Sequence, residues 1–166
     1  MTAFELIRQP ALIGETVRTF GALTIEAPAG LTIVQLLGKP GSAPPADLPA
    51  GVSLRASGPG QWFAVSAAEA DGTAIAASGF DSVDQSHGRV LIRVSGGPVR
   101  RMLAKGTAVD LHPDSFAIGM SAMTLIGHIG VNLTRTGQDE FELLVLRGFA
   151  ESLWEDLIGM AREFQI

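Results

Sequence analysis

The sequence predicts an α+β protein made of antiparallel sheets with helices on one face. Short runs of alternating apolar and polar residues recur along the chain and end at glycine or proline clusters, as strands do. A strand, a glycine turn and a short helix follow one another within residues 84–106. Residues 149–164 repeat large apolar side chains at helical spacing, with acidic residues on the opposite face. These patterns indicate a single domain over residues 1–166.

The N-terminal segment has the weakest pattern of the chain. Residues 1–20 contain apolar side chains without a regular period, and Pro10 and Gly14 interrupt any helix, so an N-terminal arm is predicted. This arm either folds back over its own core or lies along a partner. Beyond it, strands are predicted at residues 23–26 and 31–37, followed by an exposed loop rich in proline and glycine at residues 38–51.

The middle of the chain contains the strand, turn and helix that anchor the fold prediction. Residues 90–94 alternate in hydrophobicity, which predicts a strand. Gly96 and Gly97 permit a sharp turn, and residues 99–103 then carry apolar side chains at helical spacing. Gly106 is the expected C-cap of this helix. Before this stretch, strands are predicted at residues 52–55 and 61–66 and a helix at residues 67–77.

The C-terminal part is predicted to contain strands and a final helix. One helical turn is expected at residues 112–116. Gly127-His128 either joins two strands or bulges a single bent strand, and residues 136–139 form a hairpin turn. The predicted strands cover residues 120–126, 129–134 and 140–146, and the terminal helix covers residues 149–164.

Composition excludes several classes of function. The formal net charge is −5 and no basic run exceeds Arg100-Arg101, which argues against nucleic-acid binding. The sequence has no cysteine, so disulfides, thiolate metal sites and thiol nucleophiles are excluded. We expect a cytoplasmic protein that does not enter a membrane, because no export signal and no apolar run of about 20 residues is evident. The apolar content of 46% either fills the core or partly meets another subunit.

Asp84, Ser86 and His87 are the residue types of a hydrolase triad. Neighbouring residues on a strand point to opposite faces, so Ser86 and His87 cannot act as a nucleophile and its base from one strand. No G-x-S-x-G motif accompanies them. The sequence therefore disfavours a catalytic triad at this cluster.

Two further clusters have only weak functional patterns. Asp110, His112 and His128 would supply metal ligands, but no pair at i,i+4 spacing supports them, and Asp110 is instead expected to cap a turn. The Ser95-Gly96-Gly97-Pro98 turn precedes a helix, where backbone N–H groups bind anions. Its proline removes one donor and no phosphate-loop motif is present, so a packing turn is favoured.

Two arginines lie near the ends of predicted strands. Arg135 and Arg147 either hold a carboxylate ligand or pair with Asp139 or Glu140, and the pairing is the favoured interpretation. None of these candidate clusters therefore has the residues and spacing that an active site requires. No catalytic, cofactor-binding or metal-binding residue is predicted from the sequence.

Several segments resemble the aminomethyltransferase superfamily, which includes the glycine-cleavage T-protein. Gly58-Pro59-Gly60-Gln61-Trp62-Phe63 resembles its GPDEW strand, and Asp84-Gln85-Ser86-His87 with Val90-Leu91-Ile92-Arg93-Val94-Ser95-Gly96 resembles its DxSH segment and the strand that follows. More narrowly, the chain resembles the gamma-subunit family of heterotetrameric sarcosine oxidases over about residues 55–165. Three segments carry this resemblance: Leu103-Ala104-Lys105-Gly106 with Asp110-Leu111-His112-Pro113 and Phe116, Ala122 to Val131, and Arg147 to Trp154.

The resemblance implies a fold like the aminomethyltransferase folate-binding domain, with ferredoxin-like β-α-β units. It implies a non-catalytic structural subunit that packs on the alpha subunit, with beta and delta subunits in the same complex. FAD, FMN, NAD, zinc and tetrahydrofolate would be used on the other subunits, and this chain would carry no cofactor. When isolated, the chain is expected to self-associate, because its partner-facing apolar surface would be uncovered.

Two departures from the family pattern and two alternative functions accompany this interpretation. Ser95-Gly96-Gly97-Pro98 has one glycine more than the usual SGP, and Gly148 stands where the family commonly has serine, which removes an N-cap hydroxyl.

One alternative function is a stand-alone folate-binding module related to aminomethyltransferases. The other is an independent hydrolase or metal enzyme that uses Asp110, His112 or His128.

Overall fold

Two antiparallel sheets form the framework of the molecule. The computed structural model describes residues 9–67, 75, 77 and 79–165. The first sheet has the strand order β1-β2-β7-β10-β9-β8, and the second has the order β4-β5-β3-β6. The strands are β1 (Val17–Phe20), β2 (Leu23–Glu26), β3 (Thr32–Leu37), β4 (Val52–Gly58), β5 (Gln61–Ser66), β6 (Asp81–Asp84), β7 (Arg89–Ser95), β8 (Ser121–Ile126), β9 (Ile129–Gly137) and β10 (Glu140–Leu146).

The two α-helices found in the described residues pack on one face of the six-stranded sheet. They are α1 (Val99–Leu103) and α2 (Ala150–Ala161), the latter extended by 3-10 turns at Arg147–Phe149 and Arg162–Phe164. The buried side chains of α1 and α2 share one core with alternate residues of the central strands, such as Ile92 of β7. The predicted α+β class, with antiparallel sheets and helices on one face, is therefore confirmed.

The six-stranded sheet contains a split β-α-β arrangement. The chain runs from β7 through α1 and the edge strand β8 to β9, which lies parallel to β7 with the antiparallel β10 between them. From β10 the chain continues into α2, and β2 closes the other side of β7. This is the ferredoxin-like pattern with its fourth strand supplied from the N-terminal part of the chain.

The two sheets stack face to face. On one half of their interface, Ile33, Phe63 and Val65 of the smaller sheet meet Leu91 and Leu144 of the larger sheet. All five side chains are nearly inaccessible to water. On the larger sheet, Leu91 and Leu144 alternate with helix-facing residues, as the two-residue period of a strand requires. The six-stranded sheet is therefore buried on both faces at its centre.

The other half of this interface is polar. Arg55 of β4 forms a buried ion pair with Glu142 of β10, and Arg93 of β7 donates to the same carboxylate at 2.9 Å and to Glu26 at 2.7 Å. Burial alone would lower the pKa of Arg93, but hydrogen bonds with Glu142 and Glu26 hold it above its ordinary value. Asn132 Nδ2 donates to the Ala56 carbonyl at 2.7 Å, which adds a second polar link between the sheets.

The structure corrects several element predictions. Val17–Phe20 form β1, so the segment predicted as an arm ends in a strand, and Leu12 before it packs in the helix-side core. The short exposed strand β6 was not predicted. Residues 38–51 contain no helix or strand and are mostly exposed. The helix predicted at residues 67–77 falls largely outside the described residues.

The turn from β7 into α1 depends on one glycine. Gly96 has a φ of +118°, and a Cβ added there would lie 1.8 Å from the Ala22 carbonyl oxygen. Gly97 has open space around the equivalent position. Helix α1 ends at Leu103 with Ala104 as its C-cap, so the prediction of a glycine C-cap at Gly106 is wrong. That glycine instead allows close approach to Ile126, 3.0 Å from the position of an added Cβ.

A membrane-spanning helix is not found in the described part of the chain, where both α-helices are too short for a bilayer.

Candidate functional site

A cleft of about 810 Å³ opens where the N-terminal segment crosses the ends of both sheets. One wall is formed by residues 9–12, another by residues 27–31 between β2 and β3, and a third by the turn between β6 and β7. Ile33 and Leu91, which also belong to the core between the sheets, contribute apolar surface. The cleft therefore lies at an open end of the sheet interface.

The Asp84, Ser86 and His87 cluster lies at this cleft, with Asp84 at the end of β6 and Ser86 and His87 in the turn that follows it. Ser86 Oγ accepts a hydrogen bond from the Ile33 N–H at 3.0 Å and lies 3.4 Å from the Ile33 carbonyl. The Asp84 carboxylate accepts from the Ser86 N–H at 2.8 Å, and His87 is exposed. Ser86 thus fastens the turn to β3. The prediction that Ser86 and His87 lie on a strand is therefore wrong. The Ser86 hydroxyl is nevertheless occupied by the backbone of Ile33.

Arg89 is the first residue of β7 and lines the same cleft. Its guanidinium stacks on the ring of Phe63 at 4.3 Å from the centroid. Its Nε is buried without a hydrogen-bond partner within the described ranges. Burial lowers the pKa of Arg89 below its ordinary value. Arg89 is therefore a partly desolvated cation held in place by an aromatic face.

Arg147 and Arg135 do not form the predicted pairs with Asp139 or Glu140. Arg147 lines the cleft and donates from Nη2 to the Gln9 carbonyl at 2.5 Å. Arg135 is buried and donates to three backbone carbonyls, those of Phe116, Gly137 and Gln138. Asp139 pairs with Arg100 at 2.9 Å instead, and Glu140 accepts from Thr136 at 2.7 Å. Backbone carbonyls, which sequence patterns do not locate, satisfy both predicted arginines.

Asp110, His112 and His128 do not converge. The Asp110 carboxylate accepts from the His112 N–H at 2.9 Å, as expected of a turn cap. A hydrogen bond from Ser115 is the main cause that lowers the pKa of Asp110, with the His112 N–H second. His128 lies in the exposed β8–β9 turn. Among the described residues no group of three metal-ligating side chains comes together.

The Gly96 turn uses its backbone donors internally. The Gly96 N–H donates to the Asp139 carbonyl and the Val99 N–H donates to the Gly96 carbonyl, both at 2.9 Å. Pro98 has no N–H to offer. The turn therefore joins β7 to α1 and to the β9–β10 hairpin, which agrees with the predicted packing role.

An exposed apolar surface runs along β8, the edge strand of the six-stranded sheet. We call it the β8 strip, and it consists of Ile118, Met120, Met123 and Leu125, which are 59%, 45%, 52% and 54% exposed. Residues 118–126 contain no charged residue and no proline. Edge strands normally carry such residues, because an open edge otherwise pairs with other chains. The β8 strip is thus an undefended edge.

Sequence inspection missed two of these features, Arg89 and the β8 strip. Arg89 follows the singled-out Ser86 and His87 by a few residues, but stacking on Phe63 is a long-range contact with no local signal. The β8 strip had a visible signal, because residues 118–126 are uncharged. This signal does not identify the strip by itself, since periodicity does not distinguish an edge strand from a central one.

Comparison with known proteins agrees with the fold. The family model described as "Sarcosine oxidase, gamma subunit family" matches residues 15–163. The sarcosine oxidase subunit gamma of an Arthrobacter species is 29% identical over 170 residues, which cover 88% of this chain and 83% of that protein. That of Corynebacterium sp. strain P-1 is 30% identical over 112 residues, covering 64% of this chain and 55% of the relative. The latter match thus spans about half of the relative's length.

A solved structure has the same fold. A chain of the heterotetrameric sarcosine oxidase from Corynebacterium sp. U-96, determined in complex with pyrrole 2-carboxylate, superposes with a TM-score of 0.74 and 24% identity. The match covers 91% of this chain and 89% of that one. The family match extends from the β1 region to the end of α2, so it includes both sheets, both described helices and the cleft apart from the wall formed by residues 9–12. The chain belongs to the sarcosine oxidase gamma subunit family.

Proposed function

We propose that this chain is a structural and assembly subunit of a heterotetrameric sarcosine oxidase. In this proposal the complex demethylates sarcosine oxidatively to glycine, with formation of hydrogen peroxide and 5,10-methylenetetrahydrofolate. The cofactors are held by the other subunits and this chain supplies no catalytic group. Its direct partner is the alpha subunit, and beta and delta subunits complete the assembly in the cytoplasm.

The observation that carries this proposal is the β8 strip. Four large apolar side chains are about half exposed along one uncharged edge, and water contact with such a surface is unfavourable. Their burial against another subunit would remove this cost. Backbone groups on the outer edge of β8 would gain partners at the same time. Membership of the gamma subunit family supports the same role.

The proposal is tested by producing the complex with and without this chain. We expect that omission of the chain prevents recovery of a stable assembly and lowers sarcosine turnover. A double variant, Met123→Lys with Leu125→Lys, should fold alone but be recovered poorly with the other subunits, because two lysines would be desolvated at the interface. Val83→Lys is the matched control, since Val83 is a 42% exposed apolar residue on the edge strand of the other sheet.

Unchanged assembly and unchanged turnover without the chain would refute the structural role. Normal recovery of the double variant would leave the chain as a subunit but would remove the β8 strip as its contact surface.

A further inference from the structure

The cleft at the open end of the sheet interface holds two arginine side chains that lack a carboxylate partner among the described residues. Most of the other arginines among the described residues have ion-pair or hydrogen-bond partners. Arg18, Arg55, Arg93 and Arg100 pair with carboxylates, and Arg135 is held by three carbonyls. Arg89 and Arg147 have no carboxylate partner among the described residues, although Arg147 donates to the Gln9 carbonyl, and both line the open cleft. This contrast makes the cleft distinct in a chain whose net charge is −5.

Arg89 is positioned in advance of any ligand. Stacking on Phe63 fixes the plane of its guanidinium, and its Nε is already out of contact with water. A guanidinium in this state has lost part of its hydration without receiving a counter-charge, as its lowered pKa reflects. An anion at this position would compensate that loss, and little side-chain entropy would remain to be lost on binding.

Arg147 lies next to Arg89 because of the strand register. Leu146 at the end of β10 is paired with Arg89, and the Arg147 N–H donates to the Gly88 carbonyl at 2.9 Å. The Gln9 carbonyl accepts from the Arg147 side chain and directs it along the cleft wall. Two guanidinium groups, one on β7 and one directly after the neighbouring strand β10, can bind one carboxylate with several N–H donors.

The other groups of the cleft define the class of ligand. Asp84 supplies one negative charge, already engaged with the Ser86 N–H. Apolar surface comes from both sheets and from the N-terminal segment. A volume of about 810 Å³ is in the range that accommodates small organic ligands. Two cations beside an apolar wall suit an organic anion better than an inorganic one.

We propose that this cleft binds a small organic carboxylate, with Arg89 and Arg147 holding the carboxylate and the apolar wall contacting the rest of the molecule. The proposal assigns a binding site to this chain in addition to the structural role, and it does not depend on that role.

The test uses the full-length chain and benzoate, with benzamide as the uncharged analogue of the same shape. Binding is followed by ligand-observed saturation-transfer NMR across a concentration series. We expect saturable binding of benzoate and binding of benzamide that is at least about tenfold weaker, since the charge-assisted hydrogen bonds are lost. Equal binding of the two compounds, or no binding of benzoate at millimolar concentration, would overturn the proposal.

Two variants locate the site. Arg89→Gln and Arg147→Gln should each weaken benzoate binding by about tenfold, whereas Arg101→Gln should leave it unchanged. Arg101 is a fair control because it is an exposed arginine that also lies over a phenylalanine, Phe164, at 5.4 Å. Thermal unfolding of each variant checks that the fold is retained, and the benzamide comparison remains decisive if one does not fold. Unchanged binding by both cleft variants would refute the assignment.

The assembled complex distinguishes a small molecule from a carboxylate of another subunit. Difference NMR between complexes that carry Arg89 or Gln at this position isolates binding to the cleft. A benzoate signal that depends on Arg89 in the complex supports the proposal. Binding by the isolated chain that disappears on assembly would mean that another subunit's carboxylate fills the cleft, and the small-molecule assignment would fail.

Discussion

At the scale of single residues, the charges between the two sheets are the costliest part of the structure. Arg55 and Glu142 have side chains that are only 8% and 6% exposed, so both ions have lost most of their hydration. Their mutual attraction, together with Arg93 and Asn132, compensates this loss and links specific strands. The ion pair contributes less to net stability than to the relative placement of the sheets.

Replacing Glu142 with glutamine should destabilise the fold by roughly 3 kcal/mol, because Arg55 would remain buried without its counter-charge. Chemical denaturation of the full-length chain measures this difference in the free energy of unfolding. Glu155→Gln, at an exposed position of α2, is the control and should change stability by less than about 0.5 kcal/mol. Equal stability of the two variants would show that the buried pair is dispensable.

Asp110 should titrate below its ordinary pKa of 3.8, since its carboxylate accepts hydrogen bonds from Ser115 and from the His112 N–H. A folded-state pKa below the unfolded value means that the contribution to stability is present above the unfolded pKa and is lost as pH falls through the folded one. NMR titration of the side chain measures the shift. Ser115→Ala should return the pKa of Asp110 towards 3.8, whereas Ser152→Ala, at an exposed position of α2, should leave it unchanged.

At the scale of secondary-structure elements, the β7–α1 connection shows which glycine the fold requires. The two glycines are equivalent in the sequence but not in the structure. Gly96 combines a positive φ with close contact to the Ala22 carbonyl, while Gly97 is exposed and has space around it. This chain has one glycine more than the SGP pattern. The extra residue therefore lengthens the turn at a position where a side chain would have space.

Gly96→Ala should destabilise the chain by at least about 3 kcal/mol, through backbone strain and the clash with the Ala22 carbonyl. Gly97→Ala, the neighbouring substitution, should stay within about 0.5 kcal/mol of the original chain. Thermal or chemical unfolding of both variants measures the contrast. A similar loss at both positions would contradict the geometry of this turn.

At the scale of the whole molecule, helices and sheets together leave one side poorly covered. The six-stranded sheet is protected by α1 and α2 on one face and by the smaller sheet on the other. At its β8 edge, Ile126 is buried in the helix-side core and β8 contacts β4 without pairing with it, but Met123 and Leu125 stay exposed. The chain alone thus presents an uncharged apolar edge to solvent.

The isolated chain should self-associate through the β8 strip, with a larger mean mass at higher protein concentration. Met123→Lys with Leu125→Lys should shift it towards monomer, because charged residues on an edge strand prevent edge pairing. Sedimentation velocity measures the distribution, and Val83→Lys on the other sheet is the control. A monodisperse monomer of the unaltered chain at high concentration would contradict this prediction.

Local pattern was sufficient for the fold class and for most elements of this protein. The predicted segments at residues 23–26, 61–66 and 140–146 coincide with strands, and the apolar repeat of residues 149–164 coincides with α2 and its flanking turns. These succeeded because a strand or helix with a buried face must repeat apolar residues at its own period. Strands β1 and β6 escaped prediction because they are short and mostly exposed, so no such repeat forms.

The sequence by itself determined the class, the hairpins, the terminal helix and the family motifs. Only the tertiary structure decided that Glu142 meets Arg55, that Arg89 stacks on Phe63 beside Arg147, and that β8 is an edge. The physical reason is the range of the interactions. Periodicity records which face of a segment is buried, whereas the partner of a buried charge or of a strand edge is set by chain segments far away in sequence.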